Sequence, residues 1–316
     1  MIFCKGNLRS LHNLLELLGK YQTTSGQTVC RQKSKVYYGG GTLSRCRTIT
    51  DLLGMEVSTF PDRYLGVQIM PGAVKYRHIS NVVDKIKKQL SVWKGKMLSF
   101  QDRVVLINSV ISSYAIHNMV VYKWPQKFIQ HVERAIRNFL WSGDANTARK
   151  FVVGYDKICC LVKEGGLGIT RMVVTNRALL MKFWWNIRSS TKKWARFLWA
   201  KYTTRAGIIK QYGVNSSILS GVRLVHTIVD RNTKVLLGDG RTTSLYFNVL
   251  HGNASIADML GENDLDGTVM VYDILVNNNW QLQGIHAQNL VRDRVDIHNL
   301  PLLQGGTNCR VWMVSS

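Results

Sequence analysis

Between residues 78 and 141, apolar positions recur at helical spacing and mark three helices in succession. In the first, expected over 78–92, Ile79, Val82, Val83, Ile86, Leu90 and Trp93 form one stripe. The second, expected over 100–119, carries Phe100, Val104, Ile107, Ile111 and Tyr114, spaced alternately four and three residues apart. Ser99 stands where an N-cap oxygen meets free backbone N–H groups, and the charge of Asp102 suits the N-terminal end of the helix dipole. The third, expected over 126–141, starts just after Pro125 and uses Phe128, Val132, Ala135, Ile136 and Phe139. Opposite the first stripe lie Lys85, Lys87 and Lys88, and the connector adds Lys94 and Lys96. The unit has apolar seams and a basic outside.

The flanking segments are more mixed. Residues 10–23 predict a helix stopped at Ser25-Gly26, with glycine in the C′ position. The acid-poor, amphipathic start over 1–22 (Leu8, Leu11, Leu14, Leu15, Leu18) has the look of a transit peptide, but Glu16 and the continuing pattern favour a core helix. From Val29 to Tyr38 basic and apolar residues alternate (Arg31, Lys33, Lys35, Val36), which predicts a strand with one solvated face. A Gly-rich turn with a loop or short helix is expected over 39–54, and a second strand over 64–69. Farther on, Leu180, Phe183, Trp184 and Ile187 share one helical face and Trp194, Phe197 and Leu198 another, among Arg177, Lys182, Lys192, Lys193, Arg196 and Lys201. Such interleaving can stack on unpaired bases; core packing is the favoured reading of these aromatics. From about 211 the pattern is strand, turn, strand at Val235–Arg241, a loop over 261–268, and a short strand or helix at Val269–Leu275. The class expected is α+β, mainly α, in four segments: 1–74, 75–150, 151–210 and 211–316.

Charge changes this picture most. The chain has 316 residues, enough for two or three packed units, and its net charge is +23. The excess is +5 over 1–74, +10 over 75–150 and +10 over 151–210, against −2 over 211–316. A basic body of that kind recruits polyanions, nucleic acid first and an anionic membrane surface second. No apolar run reaches the roughly 18 residues of a membrane span. The six cysteines form no CxxC and no paired Cys/His spacing, which argues against zinc fingers and a secreted disulfide framework. An intracellular place, nuclear or cytoplasmic, is expected. Gly165-Gly166-Leu167-Gly168 lacks the Lys-Ser/Thr of a phosphate loop and reads as a turn. Asp264 and Asp266 read as a solvated acidic loop.

Nine pieces then carry a resemblance by their order and spacing: Ile2–Gly6, Ser25–Gln27, Lys33–Lys35, Leu53–Met55, Tyr64–Val67, Trp93–Ser99, Phe139–Trp141, Asp156–Cys159 and Lys163–Gly168. Together they resemble the reverse transcriptase of plant LINE-type non-LTR retrotransposons. The resemblance covers nearly the whole chain, is strongest from Met1 to about Tyr202, and persists weakly at Gly238–Arg241 and Ser255–Asp258. It implies that 1–74 is the edge of a palm sheet with a primer-grip-like hairpin, 75–150 a helical thumb, 151–210 a basic aromatic connector and 211–316 a mixed C-terminal region. By the same resemblance Lys33 lies near the incoming triphosphate, and Tyr64 and Gly66 belong to the hairpin holding the primer end. The thumb would clamp an RNA–DNA or DNA duplex non-specifically through phosphates, with Lys85, Lys88, Lys94, Lys96 and Arg103 as candidates.

The resemblance also implies an absence. Family members have an Ala-Asp-Asp motif shortly before the equivalent of Ile2-Phe3. Its carboxylates, with a third upstream, hold the two Mg²⁺ ions of the intact enzyme. No Asp-Asp pair occurs in this chain, so no catalytic residue, no bound cofactor and no polymerisation are expected of it as written, and no RNase H domain either. Cys30 stands where the family usually has Asn, and Val249-Leu250-His251-Gly252 where Trp-Leu-Gly is usual. Three readings stay open: a truncated, catalytically silent reverse transcriptase; a retained non-specific RNA- or DNA-binding module; and a relic that does not fold stably.

Overall fold

Local caps, more than strand pairing, fix the first elements. The computed structural model describes residues 2–70, 72–93, 97–147, 153–204, 207–213, 216–261, 265–281, 284 and 300–313. Helix α1 (Leu8–Ser25) begins where the Asn7 side chain accepts from Ser10 N at 2.8 Å, and it ends at Gly26 with φ 69°. The expected strand over 29–38 is instead a 3₁₀ turn at Arg31–Lys33 followed by two-residue β1 (Lys35–Val36). Alternation alone does not make a strand, which also needs a partner edge, and only Lys35 and Val36 find one. That edge is β2 (Glu56–Val57), parallel to β1, reached through α2 (Leu43–Leu53), which fills the predicted loop-or-helix region. Leu11, Ile49 and Leu53 form the small core of this part, and β3 (Asp62–Tyr64) ends it. Lys35 reaches Asp62 at 2.7 Å and, with Tyr37, holds that carboxyl well below the usual carboxylate range.

The chain divides into two compact units, Met1–Tyr64 and Leu65–Ser316. The second opens with β4 (Val67–Ile69) and α3 (Tyr76–Val92). Then α4 (Phe100–Leu106) runs through a π-helical turn at Ile107–Ile111 into α5 (Ser112–Met119), and α6 (Gln126–Ser142) follows. The predicted cap at Ser99 is present as a reciprocal box: Asp102 N donates to Ser99 Oγ and Ser99 N to Asp102 Oδ2, both at 3.1 Å. The buried stripe of α3 is Ile79, Val83, Ile86 and Leu90; that of α4–α5 is Val104, Ile107, Ile111, Ala115 and Met119. A residue gained at the π turn carries the stripe onto Ala115 and Met119 and leaves Tyr114, expected in the seam, at its rim.

Short α7 (Tyr155–Ile158) leads to α8 (Met172–Ser189), α9 (Lys193–Tyr202) and α10 (Leu219–Arg231), with a second core of Leu180, Trp184, Ile187, Tyr202, Val222 and Val229. Gly221 allows α10 close against α8, since a Cβ there would lie 2.8 Å from Leu180 Cδ2. Beyond lie β5 (Thr233–Leu236), α11 (Ile256–Leu260), α12 (Val271–Ile274), β6 (Leu275–Val276), β7 (Asn279–Trp280) and β8 (Cys309–Trp312). The expected hairpin at Val235–Arg241 does not form. β5 pairs antiparallel with β8, Val235 opposite Arg310, because the Gly238–Gly240 turn is taken by another partner. Asn308 accepts from Gly238 N and Gly240 N at 2.8 and 3.0 Å, and a Cβ on Gly238 would lie 2.5 Å from Thr307 C. The fold is α+β and mainly α, its sheets two-stranded among the described residues. Among those residues no helix is long and apolar enough to cross a membrane.

One side chain joins the first helices of this unit to the next group. Buried Asn176 on α8 donates to Met119 O and Tyr122 O, both at 2.9 Å, and accepts from Trp124 N at 3.0 Å. Asn176→Ala orphans three backbone groups and should cost at least about 3 kcal/mol, read as a lower urea midpoint at unchanged slope.

Candidate nucleic-acid interface

The outer face of α3 is built by the same periodicity that buries its inner one. Lys85 and Lys88 are exposed and Lys87 half-buried, and none of the three joins an ion pair among the described residues. Lys85 Nζ lies 4.7 Å from the centroid of the Tyr114 ring, the side chain displaced by the π turn. This contact orients one lysine while its charge stays in solvent. Lys94 and Lys96 lie outside the described residues.

One helical turn beyond Tyr114, His117 Nε2 donates to Leu65 O at 2.6 Å, and Tyr122 Oη donates to Gln68 O at 2.8 Å. These bonds moor the turn at Leu65-Gly66 and strand β4 to α5. Both turn residues have positive φ, 50° and 81°, the signature of a type I′ turn. Glycine adopts this freely; Leu65 does not, and it is nevertheless 77% exposed. The structure thus brings Lys85, Tyr114, His117 and Gly66 into one row. Tyr64, exposed, ends the first unit, and exposed Lys33 sits there on the 3₁₀ turn, apart from any cluster of carboxylates.

Arg103 has a different occupation. Its guanidinium donates to Leu140 O at 3.1 Å and Leu98 O at 3.0 Å, closing the end of α6 onto the start of α4. At the glycine-rich turn, the N–H groups of Gly166, Leu167 and Gly168 are spent on Leu161 O, Ile158 O and Cys160 O, which leaves no nest for phosphate. Asp266 accepts from Thr268 N and its hydroxyl, and Asp264 lies outside the described residues. No group of three His, Cys, Asp or Glu able to hold a metal occurs among the described residues.

One set of residues departs from the core reading. On α9 the packed face is Ala195, Leu198, Trp199 and Tyr202, while Trp194 and Phe197 are 43% and 64% exposed. Lys201 lies 5.9 Å from the Phe197 ring, and Trp194 stacks on Phe183 at 6.3 Å. Trp194, Phe197 and Leu198 share a helical face by spacing, yet of these three only Leu198 packs into the core. The spacing of Ala195, Leu198 and Tyr202, three and four, was the signal available for the true face.

No known family profile matches the chain. Over 122 residues, 38% of its length, it is 32% identical to the Arabidopsis thaliana protein named "Putative ribonuclease H protein", covering 20% of that protein. Over 112 residues, 34% of its length, it is 30% identical to the Xenopus laevis "Transposon TX1 uncharacterized 149 kDa protein", covering 8% of it. The chain spans a fifth of the first relative and under a tenth of the second. These similarities point to a retrotransposon-derived chain.

The start of α3 carries a titratable contact. Buried His78 accepts from Lys75 N through Nδ1 at 2.9 Å, which requires the neutral ring. Burial first, then Arg77 and Lys75, hold its pKa below the ordinary 6.5. The unfolded chain therefore takes up the proton first, so the stability that neutral His78 contributes is complete above about pH 6.5 and is lost as pH falls below it. Thermal unfolding followed from about pH 7 to pH 5 should show a falling Tm, and His78→Gln, which keeps an acceptor but cannot charge, should flatten that decline.

Proposed function

We propose that the chain is a segment of a LINE-type retrotransposon reverse transcriptase whose α3–α6 unit grips a template–primer duplex by charge. The observation that carries this is the row formed by the unpaired lysines of α3, Tyr114 and the strained Leu65-Gly66 turn moored by His117. A duplex backbone needs fixed positive charge and a close backbone approach, without base-specific geometry. The ordered pieces of family sequence support the same assignment, as do relatives with a transposon name and a ribonuclease H name. Lys85 and Lys88 contact phosphate and Gly66 borders the primer strand; Tyr64, in the first unit, and Lys94 and Lys96, outside the described residues, remain candidates from the sequence alone. Lys33 is a surface lysine here, and Arg103 acts through the helix ends that it closes. Trp194 and Phe197 add a place where an unpaired base could stack beside Lys193, Arg196 and Lys201.

Anisotropy of a labelled RNA–DNA duplex titrated across salt tests the grip. The expected log–log slope is several units, and Lys85→Gln with Lys88→Gln should lower it by about two. Absent or salt-insensitive binding would defeat the reading. As written the chain has no Asp-Asp pair, so Mg²⁺-dependent primer extension by this polypeptide should give no product above a no-protein blank; extension would refute the inactivity.

A further inference from the structure

A second cationic feature lies at the other end of the same unit. A cleft of about 590 Å³ between α8–α10 and the C-terminal strands is lined by Arg188, Arg231, Arg241 and Arg310 against only Asp230 and Asp258. Arg188, in the last turn of α8, pairs with Asp230 on α10. The same Asp230 oxygen accepts from Trp184 Nε1 at 3.0 Å, and the Arg188 guanidinium lies 5.7 Å from the Trp199 ring centroid. Arg188 is therefore fixed in place.

Arg310 enters this space from β8, and its guanidinium has no hydrogen bond or ion pair among the described residues. Its pKa is pushed down to about 9, first by burial and then by neighbouring Arg188, with Asp230 only partly offsetting them. Asp230 thus bonds Arg188 and an indole N–H, and it offsets the charge of Arg310 only from a distance. The remaining pair, Arg231 with Asp258, is 3.9 Å long and exposed, so it does little to absorb the excess. Exposed Arg241 packs on Tyr272, 4.7 Å from the ring centroid, at the rim.

Arg310 is half-buried, so its guanidinium is only partly hydrated and its donors are open to an anion that joins it in the cleft. Two guanidiniums lining one cleft present planar donor forks, which match the oxygens of phosphate. The described lining carries two more positive than negative charges, which a dianionic monoester neutralises and a diester or carboxylate only halves. The cleft is far larger than a bare phosphate and falls in the range of small-ligand sites. We propose that Arg188 and Arg310 hold the phosphate monoester of a nucleotide, either free or as the 5′ end of a strand.

The full chain is unfolded thermally in inorganic phosphate and in chloride of matched ionic strength. Phosphate near ten times its Kd should raise the Tm by about 2 °C. Arg310→Met keeps the stem and should hold or raise the basal Tm while losing the phosphate shift; Arg310→Lys, keeping charge without the fork, should show a reduced shift. No rise in the parent chain, or an equal rise in both variants, overturns the proposal. Tenfold tighter binding of a 5′-phosphorylated oligonucleotide than of its 5′-hydroxyl twin assigns a strand end. Equal binding of the twins, with a nucleoside monophosphate displacing phosphate, assigns a free nucleotide. Binding of inorganic phosphate alone overturns the monoester. The double variant Lys85→Gln, Lys88→Gln should keep the full phosphate shift, so failure of the duplex grip and failure of this site are told apart.

Discussion

Asn176 uses both faces of one amide to satisfy three backbone groups where α5 ends and α6 begins. That junction has no regular structure to pair its carbonyls and N–H groups, and it is buried against α8. Without the amide, the ends of two helices would meet the second core with orphaned polar atoms. Glu133 works alongside it. From α6 its carboxylate accepts from Met172 N at 3.1 Å at the start of α8, while burial raises its pKa and Arg171 and the backbone N–H groups oppose the rise. The helices that present Lys85 and those that carry Trp194 are thereby held as one piece of the fold.

The two basic surfaces of this unit differ in kind. Lysines of α3 stand in solvent, where charge is cheap to keep and counterions are easily exchanged. Arginines of the α8–β8 cleft share too few carboxylates and lie where water is partly excluded. The first arrangement suits a long, uniform polyanion; the second suits a compact group with a fixed outline. A sequence-wide excess of +23 does not distinguish them, because the C-terminal third that supplies Arg310 is itself slightly acidic.

Local signals in the sequence were legible and long-range ones were not. The helices α3 and α6, the Ser99–Asp102 box and the Gly26 stop follow from residues within a turn of each other. The π turn escaped notice because Tyr114 and Ala115 both continue a plausible apolar spacing, and only packing against α3 and α6 chooses between them. Trp194 and Phe197 misled for a related reason, since aromatic residues fit a core stripe as readily as an exposed one. Arg310 gave no signal at all: its meaning depends on Arg188 and Asp230, more than seventy residues away. Of the duplex-binding candidates, Lys85 and Lys88 were readable as an outer face, whereas the engagement of Arg103 with Leu140 O required knowing where α6 ends.

The pairing of β5 with β8 has a further consequence for how the polypeptide is made. A ribosome delivers Leu236 about seventy residues before Cys309, and at common synthesis rates that interval is about 4–15 seconds. Through it the strand edge that Cys309–Trp312 will cover has no partner. An open edge of that kind invites pairing with neighbouring chains on the same message.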